Sequence, residues 1–279
     1  MVNPAYRGLE RFDSLPIGVF DSGLGGLTVL RELHRQLPYE SAVYFGDTAR
    51  VPYGDRSEAE LLQFVREIMT WMTQSGVKMV LMACNTSSAT VLEQIQAEFP
   101  VPVLGIVLPG ARAAARQGQR IGVIATPTTA ASNAYRQAIA EANPAALVWQ
   151  VGCPEFVPLI EQNRVSDPQT VSVVRQYIGP LIAEKIDTLV YGCTHYPYLE
   201  PVLRQLLSPL IRKIDPAVHM VAAAAKELDA LGIRSSTTMS TSRFYVSGNV
   251  RQFQQGASGW LGYRPDTQQV VLPKTVFQT

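Results

Sequence analysis

The chain has 279 residues, of which 47% are hydrophobic and 17% are charged. This length and apolar content suit one large or two compact α/β domains, and the low charged fraction argues against a disordered chain. The 24 Lys and Arg residues nearly balance the 23 Asp and Glu residues. A near-neutral chain lacks the basic surface by which proteins bind nucleic acid, so no nucleic-acid partner is expected.

The N-terminal segment and the apolar runs predict neither secretion nor a membrane span. Residues 1–15 mix charged and polar side chains and lack the apolar core of a signal peptide, and we assign them no role. Apolar runs elsewhere have the length of a strand, well short of the about 20 residues that a bilayer-spanning helix needs. We therefore expect a cytoplasmic protein without a membrane partner.

Short apolar runs of strand length alternate with helical stretches along the chain. This alternation predicts parallel sheets covered by helices, and ligands of such sheets bind at the carboxyl ends of the strands. The clearest helix begins at Ser57, where Ser57 and Glu60 have the spacing of a capping box. The candidate strands form two series: Pro16–Phe20, Ser41–Phe45, Lys78–Met82 and Val101–Gly105, then Arg120–Ala125, Ala146–Val151, Asp187–Tyr191 and Ile211–Ile214.

Two matched pairs of segments indicate an internal duplication. Residues 17–22 resemble residues 121–126, and residues 79–86 resemble residues 188–195. The two offsets, 104 and 109 residues, are nearly the same (121 − 17 and 193 − 84). The chain is therefore predicted to contain two similar α/β halves.

The segment after Ile214 is predicted to return to the first half. It contains a strong helical pattern, then a short strand pattern, then another helix. With this return, the first domain comprises residues 1–108 plus 217–279, and the second comprises residues 109–216.

Two of the three cysteines, Cys84 and Cys193, occupy the same local context. Each follows an apolar strand and a small residue, and each precedes polar residues that would begin a helix. A helix N-terminus would lower the thiol pKa from its free value of roughly 8.5. One isolated cysteine is more often a buried apolar residue, but two in matched contexts favour a chemical role. Cys153 lacks this context and is interpreted as structural.

Facing thiols of this kind suit inversion at a carbon atom. One thiolate removes a proton from one face, and a thiol on the other face supplies one. A thiol hydrolase is an alternative, because it needs only one reactive cysteine and a histidine, and His195 lies two residues after Cys193. His195 is in either case a candidate to orient or protonate that thiol.

A glycine-rich turn at residues 21–26 follows the first candidate strand. Its glycines permit a tight turn whose N–H groups could hold an anion. A nucleotide- or anion-binding module is therefore a further alternative, although Thr28 interrupts the Gly-x-Gly-x-x-Gly spacing. Asp21 could simply cap the next helix. Its counterpart in the second half is Ala125, so the two halves differ here.

Several motifs together resemble the aspartate/glutamate racemase family, over most of the chain from about Pro16 to beyond Gly248. The cysteine motifs match the family as a whole, whereas the Asp-Ser-Gly-x-Gly-Gly and Pro-Tyr-Gly motifs are typical of its glutamate-specific members. The motifs are residues 18–26, the loop at 47–54, Ala83-Cys84-Asn85-Thr86, Gly192-Cys193-Thr194-His195-Tyr196-Pro197 and Ile214-Asp215-Pro216-Ala217.

The resemblance implies two α/β domains with the active site in the cleft between them. It also implies an isomerase that interconverts L-glutamate and D-glutamate with two cysteine bases, without pyridoxal phosphate, another cofactor or a metal. The product would supply bacterial peptidoglycan, and members of the family commonly form homodimers. An aspartate racemase, which differs in pocket length, remains the close alternative.

The resemblance further implies a role for each site residue. Cys84 would act on D-glutamate with help from Asp21, and Cys193 would act on L-glutamate with help from His195. Glu161, which from sequence alone resembles a surface carboxylate, would be the partner of His195. The expected substrate contacts are Asp21, Ser22, Tyr53, Gly54, Asn85, Thr86, Thr194 and His195.

Two positions depart from the family pattern. Ser87 stands where the family often has alanine, and Tyr191 stands where it often has leucine. We expect neither to affect the chemistry.

Overall fold

The computed structural model describes residues 12–236 and 240–272, so both ends of the first predicted domain, residues 1–11 and 273–279, lie outside it. The described residues form ten strands in two sheets, and every strand pair is parallel. The strands are β1 (Ile17–Asp21), β2 (Ala42–Gly46), β3 (Met79–Met82), β4 (Val103–Gly105), β5 (Arg120–Ala125), β6 (Leu147–Gly152), β7 (Thr188–Gly192), β8 (Arg212–Ile214), β9 (Ser242–Val246) and β10 (Thr267–Gln269).

Helices connect the strands, as parallel pairing requires. Ser57 caps the second helix through the predicted capping box with Glu60. The helices are α1 (Leu27–Gln36), α2 (Glu58–Gln74), α3 (Asn85–Thr90), α4 (Leu92–Glu98), α5 (Val107–Gln117), α6 (Pro127–Ala131), α7 (Ala134–Ala142), α8 (Phe156–Glu161), α9 (Pro168–Ala183), α10 (Glu200–Leu206), α11 (Pro216–Leu231) and α12 (Val250–Leu261).

The two sheets repeat one strand order. The larger sheet runs β10-β9-β2-β1-β3-β4, and the smaller runs β6-β5-β7-β8. Strands β2-β1-β3-β4 therefore correspond to β6-β5-β7-β8, which is the relation that the sequence repeats predict. In both sheets the first strand of the half lies centrally, so Phe20 pairs with Phe45 on one side and with Met82 on the other.

The central strands are buried on both faces, as expected for sheets covered by helices. Every residue of β1, β2, β3 and β7 is buried. One apolar cluster runs through both halves and includes Leu81, Val123 and Met220. Within the contact between α5 and α11, a Cβ at Gly110 would lie 2.7 Å from the Pro216 Cβ, so the close helix approach requires glycine. The halves thus share a continuous core behind the site.

The predicted α/β class is confirmed, and the eight strands of the two repeats begin within two residues of their predicted starts. The short strand β10 was missed, because its Thr-Gln-Gln sequence lacks apolar alternation, and it pairs with β9. Strand β9 pairs with β2, so the chain after α11 extends the first sheet. The domain boundary at residue 108 falls inside α5 and remains a prediction. Among the described helices, none combines the length and apolar character that crossing a bilayer requires.

Candidate active site

One cavity lies where the carboxyl ends of the two sheets face each other. Residues one or two positions after the ends of five strands line it: Ser22, Cys84, Thr126, Cys153 and Cys193. This position agrees with the general rule for parallel sheets. The complete lining is Ser22, Val51, Pro52, Tyr53, Gly54, Asp55, Cys84, Asn85, Thr86, Thr126, Pro127, Cys153, Pro154, Val157, Pro158, Cys193, Thr194 and His195. None of these described residues is Lys or Arg, so an anionic ligand would be held by neutral donors and by His195.

Cys84 lies after β3 and caps the N-terminus of α3, with 4% of its surface exposed. Burial and the Asp21 carboxylate raise the pKa of its thiol to about 12, against a lowering contribution from Ser87 hydrogen bonds. The N–H of Ser87 in the first turn of α3 does lower the pKa of this thiol, but the predicted net lowering is wrong for Cys84. The reason is desolvation, which disfavours the charged form and outweighs a helix of only six residues.

Ser87 was expected to have no effect on the chemistry, but it influences the pKa of Cys84. It is fully buried, three residues after Cys84, and no other described side chain or backbone group occupies its hydroxyl, which leaves that hydroxyl for the thiolate. Its backbone N–H and hydroxyl both stabilise the ionised form of Cys84, which lowers the pKa of that thiol. Tyr191, the other departure, instead directs its hydroxyl to Glu200.

Asp21 is fully buried behind the cavity wall. Its Oδ1 accepts from the Gly23 N–H at 3.0 Å, and its Oδ2 accepts from Thr194 Oγ1 at 3.2 Å. Burial raises the pKa of this carboxyl, although the hydrogen bonds and the charge of His195 oppose the increase. The residue that caps α1 is Gly26, so Asp21 is not a helix cap. It connects the first half to the loop that carries Thr194.

Cys193 has a histidine neighbour. His195 Nδ1 lies 3.7 Å from Cys193 Sγ, and its Nε2 lies 3.0 Å from Glu161 Oε1. Burial alone would lower the pKa of His195, but the hydrogen bonds to Cys193 and Glu161 raise it to about 10. Trp260 of α12 packs edge-on against the imidazole, with ring centroids 5.7 Å apart. A 3₁₀ turn, Tyr196–Leu199, follows instead of the predicted α-helix.

The glycine-rich turn packs against the second half instead of presenting an open anion site. A Cβ at Gly25 would collide with Thr194 Oγ1 and His195 Nδ1. Because Gly23 N–H already donates to Asp21, the expected nest of free donors is not formed there. Gly192 likewise serves packing rather than ligand access, since a Cβ there would lie 2.8 Å from the Ile124 carbonyl oxygen of β5.

The loop after β2 places Tyr53 and Gly54 on the cavity wall. Asp47 holds this loop: its Oδ2 accepts from the Tyr53 hydroxyl and from Arg50 Nε at 2.6 Å. Its Oδ1 accepts at 2.7 Å from the hydroxyl of Ser247, which lies just after β9. The Tyr53 hydroxyl is thus engaged by Asp47, which leaves the ring and the backbone to face the cavity. The C-terminal return thereby supports the site.

Among the cavity residues that were not identified as site residues from the sequence, one carries a hydroxyl and one carries a thiol. Thr126 lines the cavity and bonds to Thr86 across the cleft, Oγ1 to Oγ1, at 3.0 Å. The internal repeat pairs Thr126 with Ser22, and this was the signal that could have identified it. Cys153, interpreted as structural, also lines the cavity; it is fully buried and its Sγ donates to the Val151 carbonyl at 3.5 Å.

The structure thus assembles most of the residues that the sequence selected. Cys84, Cys193, His195, Asn85, Thr86, Thr194, Ser22, Tyr53 and Gly54 line the cavity, whereas Asp21 and Glu161 contact lining residues from behind. Within the described part of the chain, no three acidic, cysteine or histidine side chains are grouped so as to hold a metal ion.

Comparison with known proteins gives a consistent result. The sequence model described as Asp/Glu/Hydantoin racemase matches residues 17–234. The chain is 62% identical over 261 residues to a glutamate racemase from Rippkaea orientalis, covering 94% of this chain and 93% of that relative.

Solved structures are also similar. A glutamate racemase isoform from Bacillus anthracis has a TM-score of 0.90 at 39% identity, covering 94% of this chain and 99% of that one. A glutamate racemase from Francisella tularensis, solved in complex with D-glutamate, has a TM-score of 0.87 at 32% identity, covering 94% and 98%.

Proposed function

Since the chain belongs to the Asp/Glu/hydantoin racemase family, we propose that it interconverts L-glutamate and D-glutamate by moving the α-proton between two cysteines. The observation that carries this proposal is the placement of Cys84 and Cys193. They follow equivalent strands of two repeated halves and line the same cavity. The names of the relatives at about 60% identity support glutamate as the substrate.

Substrate binding would depend mainly on uncharged donors. Glutamate carries two carboxylates, and the cavity offers the hydroxyls of Ser22, Thr86, Thr126 and Thr194 and the amide of Asn85. Preorganised donors that meet charge as it develops contribute about 3 kcal/mol each in enzyme sites. Here they would stabilise the α-carboxylate as the electron pair of the broken C–H bond delocalises onto it.

Proton transfer would run in opposite directions for the two enantiomers. With L-glutamate, the Cys193 thiolate takes the α-proton, and the Cys84 thiol delivers its proton to the other face of the carbanion. With D-glutamate, Cys84 is the base and Cys193 is the acid. His195 contacts Cys193 and would exchange protons with it, so that the thiol regains its starting protonation state. Glu161 would stabilise the imidazolium. Asp21 would assist Cys84 from behind the wall.

Exchange in heavy water tests the proposal. Purified protein without added cofactor should introduce deuterium at the α-carbon of both glutamate enantiomers and abolish the optical rotation of either one. Mass spectrometry and polarimetry measure the two effects. A protein that neither exchanges the α-hydrogen nor changes the rotation would contradict the proposal.

Turnover with aspartate, nucleotide binding and the activity of a cysteine variant separate the alternatives. Faster turnover of aspartate than glutamate would identify an aspartate racemase, and binding of nucleotides without exchange would identify a binding module. A thiol hydrolase based on Cys193 and His195 would survive the substitution Cys84→Ala, whereas a racemase would not.

The biological setting belongs to the proposal as well. We propose that the D-glutamate supplies bacterial peptidoglycan, that the protein works in the cytoplasm and that it forms a homodimer. The resemblance to glutamate racemases supports all three. Loss of growth rescued by external D-glutamate would test the first, cell fractionation the second, and sedimentation equilibrium of the purified protein the third.

A further inference from the structure

A tyrosine outside the residues discussed above connects the two halves at the cleft. Tyr135 lies in the first turn of α7. The residue before this helix, Asn133, has a left-handed φ of 58° and separates α7 from α6. The Tyr135 side chain is fully buried. Its hydroxyl donates to Asn85 Oδ1 at 2.7 Å, so a residue of the second half contacts a cavity residue of the first.

This hydrogen bond determines which way the Asn85 amide points. A side-chain amide has one acceptor end and one donor end, and its partners decide the orientation. Among the described residues, the Tyr135 hydroxyl has no other acceptor for its proton. Burial raises the pKa of Tyr135 well above its usual value, so the hydroxyl remains a donor. The Oδ1 end of Asn85 is therefore held toward Tyr135.

The opposite end of the amide is left without a partner. Asn85 is 3% exposed and lines the cavity, and its Nδ2 makes no hydrogen bond among the described residues. A buried donor that lacks a partner is costly, and in a binding site it is typically completed by the ligand. Because none of the described residues that line the cavity is Lys or Arg, an amide N–H is a valuable donor for a carboxylate there.

We propose that Tyr135 is a positioning residue that orients Asn85 so that Nδ2 donates to a carboxylate of the bound amino acid. The inference rests on the proposed function, since it requires a carboxylate substrate. Tyr135 itself does not line the cavity and acts only through Asn85. Without this contact the amide is free to turn, and its oxygen would then face the anion and repel it.

The substitution Tyr135→Phe tests the role while preserving the volume of the ring. KM for both enantiomers should rise roughly tenfold, the equivalent of about 1.4 kcal/mol, with a much smaller change in kcat. The matched control is Tyr177→Phe in the same half. Tyr177 does not line the cavity, and its hydroxyl donates to Glu155 over a distance of 2.6 Å. This control should keep both parameters. Thermal unfolding of both variants reports any general loss of structure.

A double-mutant cycle separates positioning from a merely structural role. In an Asn85→Ala background, Tyr135→Phe should leave KM unchanged, because the group that it orients is gone. An equal rise of KM in both backgrounds, a normal KM in Tyr135→Phe, or a loss confined to kcat would each overturn the inference. If the unmodified protein does not racemise glutamate, the proposed function fails first, and the two failures are thus distinguishable.

Discussion

The two thiols occupy equivalent positions in the two halves but have opposite electrostatic surroundings. Cys84 follows β3, and burial together with the nearby Asp21 carboxylate raises its pKa to about 12. Cys193 follows β7 and touches His195, whose pKa of about 10 makes the ring a cation near neutral pH. The repeated fold therefore sets where the thiols lie, and single unrepeated neighbours set the charge that each thiol meets.

The supporting residues differ in the same way. Asp21 has Ala125 as its counterpart, and His195 corresponds to Thr86. The halves share a strand order without sharing these side chains. A proton that enters on one face and leaves on the other requires one thiolate and one thiol at the start. In the proposed mechanism, unequal neighbours would provide that difference in a nearly symmetric frame.

Thermodynamics limits how this asymmetry can be observed. Two enantiomers have the same free energy in water, so the equilibrium constant of the proposed reaction is unity. It follows that kcat/KM must be equal in the two directions for the protein and for every variant. The difference between the thiols will show in isotope exchange, in pH dependence, and in kcat and KM taken separately.

The largest effect is expected from removal of either thiol. Cys84→Ala and Cys193→Ala should each reduce racemisation by roughly a thousandfold or more, because each removes a required acid or base. The comparison predicts a further difference in heavy water: Cys84→Ala should still exchange the α-hydrogen of L-glutamate, and Cys193→Ala that of D-glutamate. Polarimetry and mass spectrometry measure both effects. Near-normal turnover in either variant would remove that cysteine from the mechanism.

A smaller loss is expected when the carboxylate beside Cys84 is neutralised. Asp21→Asn removes the charge that helps to raise the pKa of Cys84, so the thiolate should form at lower pH. Racemisation should fall roughly ten- to a hundredfold, as expected for a group that supports acid–base transfer. Thiolate absorbance against pH in a Cys193→Ser background reports the titration of Cys84. An unchanged titration would show that Asp21 does not set the state of this thiol.

On the Cys193 side, the main effect should be a shift in pH dependence. Glu161 hydrogen-bonds to His195 and raises its pKa, and Glu161→Gln removes that negative charge. A lower pKa means that the imidazolium loses its proton at lower pH. The alkaline limb of the plot of rate against pH should therefore shift to lower pH, away from the His195 pKa of about 10. A limb that stays in place would exclude His195 as the group that controls it.

The smallest effect is expected at Ser87. Its hydrogen bonds stabilise the ionised form of Cys84, so Ser87→Ala should raise the pKa of that thiol further. Turnover near neutral pH should fall roughly three- to tenfold, which corresponds to about 0.7–1.4 kcal/mol, the range of one ordinary hydrogen bond. The neighbouring Ser88→Ala is the control, because its hydroxyl accepts from the Val107 N–H instead. Equal effects of the two substitutions would argue for packing rather than electrostatics.

Much of the fold followed from local patterns. Strands with continuous apolar residues, such as β1 and β7, stand out because both faces of a covered parallel sheet are buried. The capping box at Ser57 was readable because its partners lie three residues apart. The repeat pointed to equivalent positions for Cys84 and Cys193. The three-residue strand β10 was not readable, since its pairing with β9 leaves no periodic apolar signal.

The site was predictable in part, by motif and by resemblance. Cys84, Cys193 and their polar neighbours were identified because they lie just beyond the ends of strands, where ligands bind in parallel sheets. Tyr135 was missed because nothing in its own segment indicates that α7 reaches Asn85, 50 positions away. Gly25 was taken for an anion-binding turn, since its packing against His195 is visible only after the halves meet.

The sequence by itself determined the elements, the duplication and the pair of thiols, because strand patterns, caps and motifs depend on residues close together in the chain. Only the tertiary structure decided the raised pKa of Cys84. Burial removes water from Cys84 and brings Asp21 beside it, although 63 residues separate the two (84 − 21). Desolvation and charge act through space over a few ångströms, and distances of that kind exist only once the two halves are packed together.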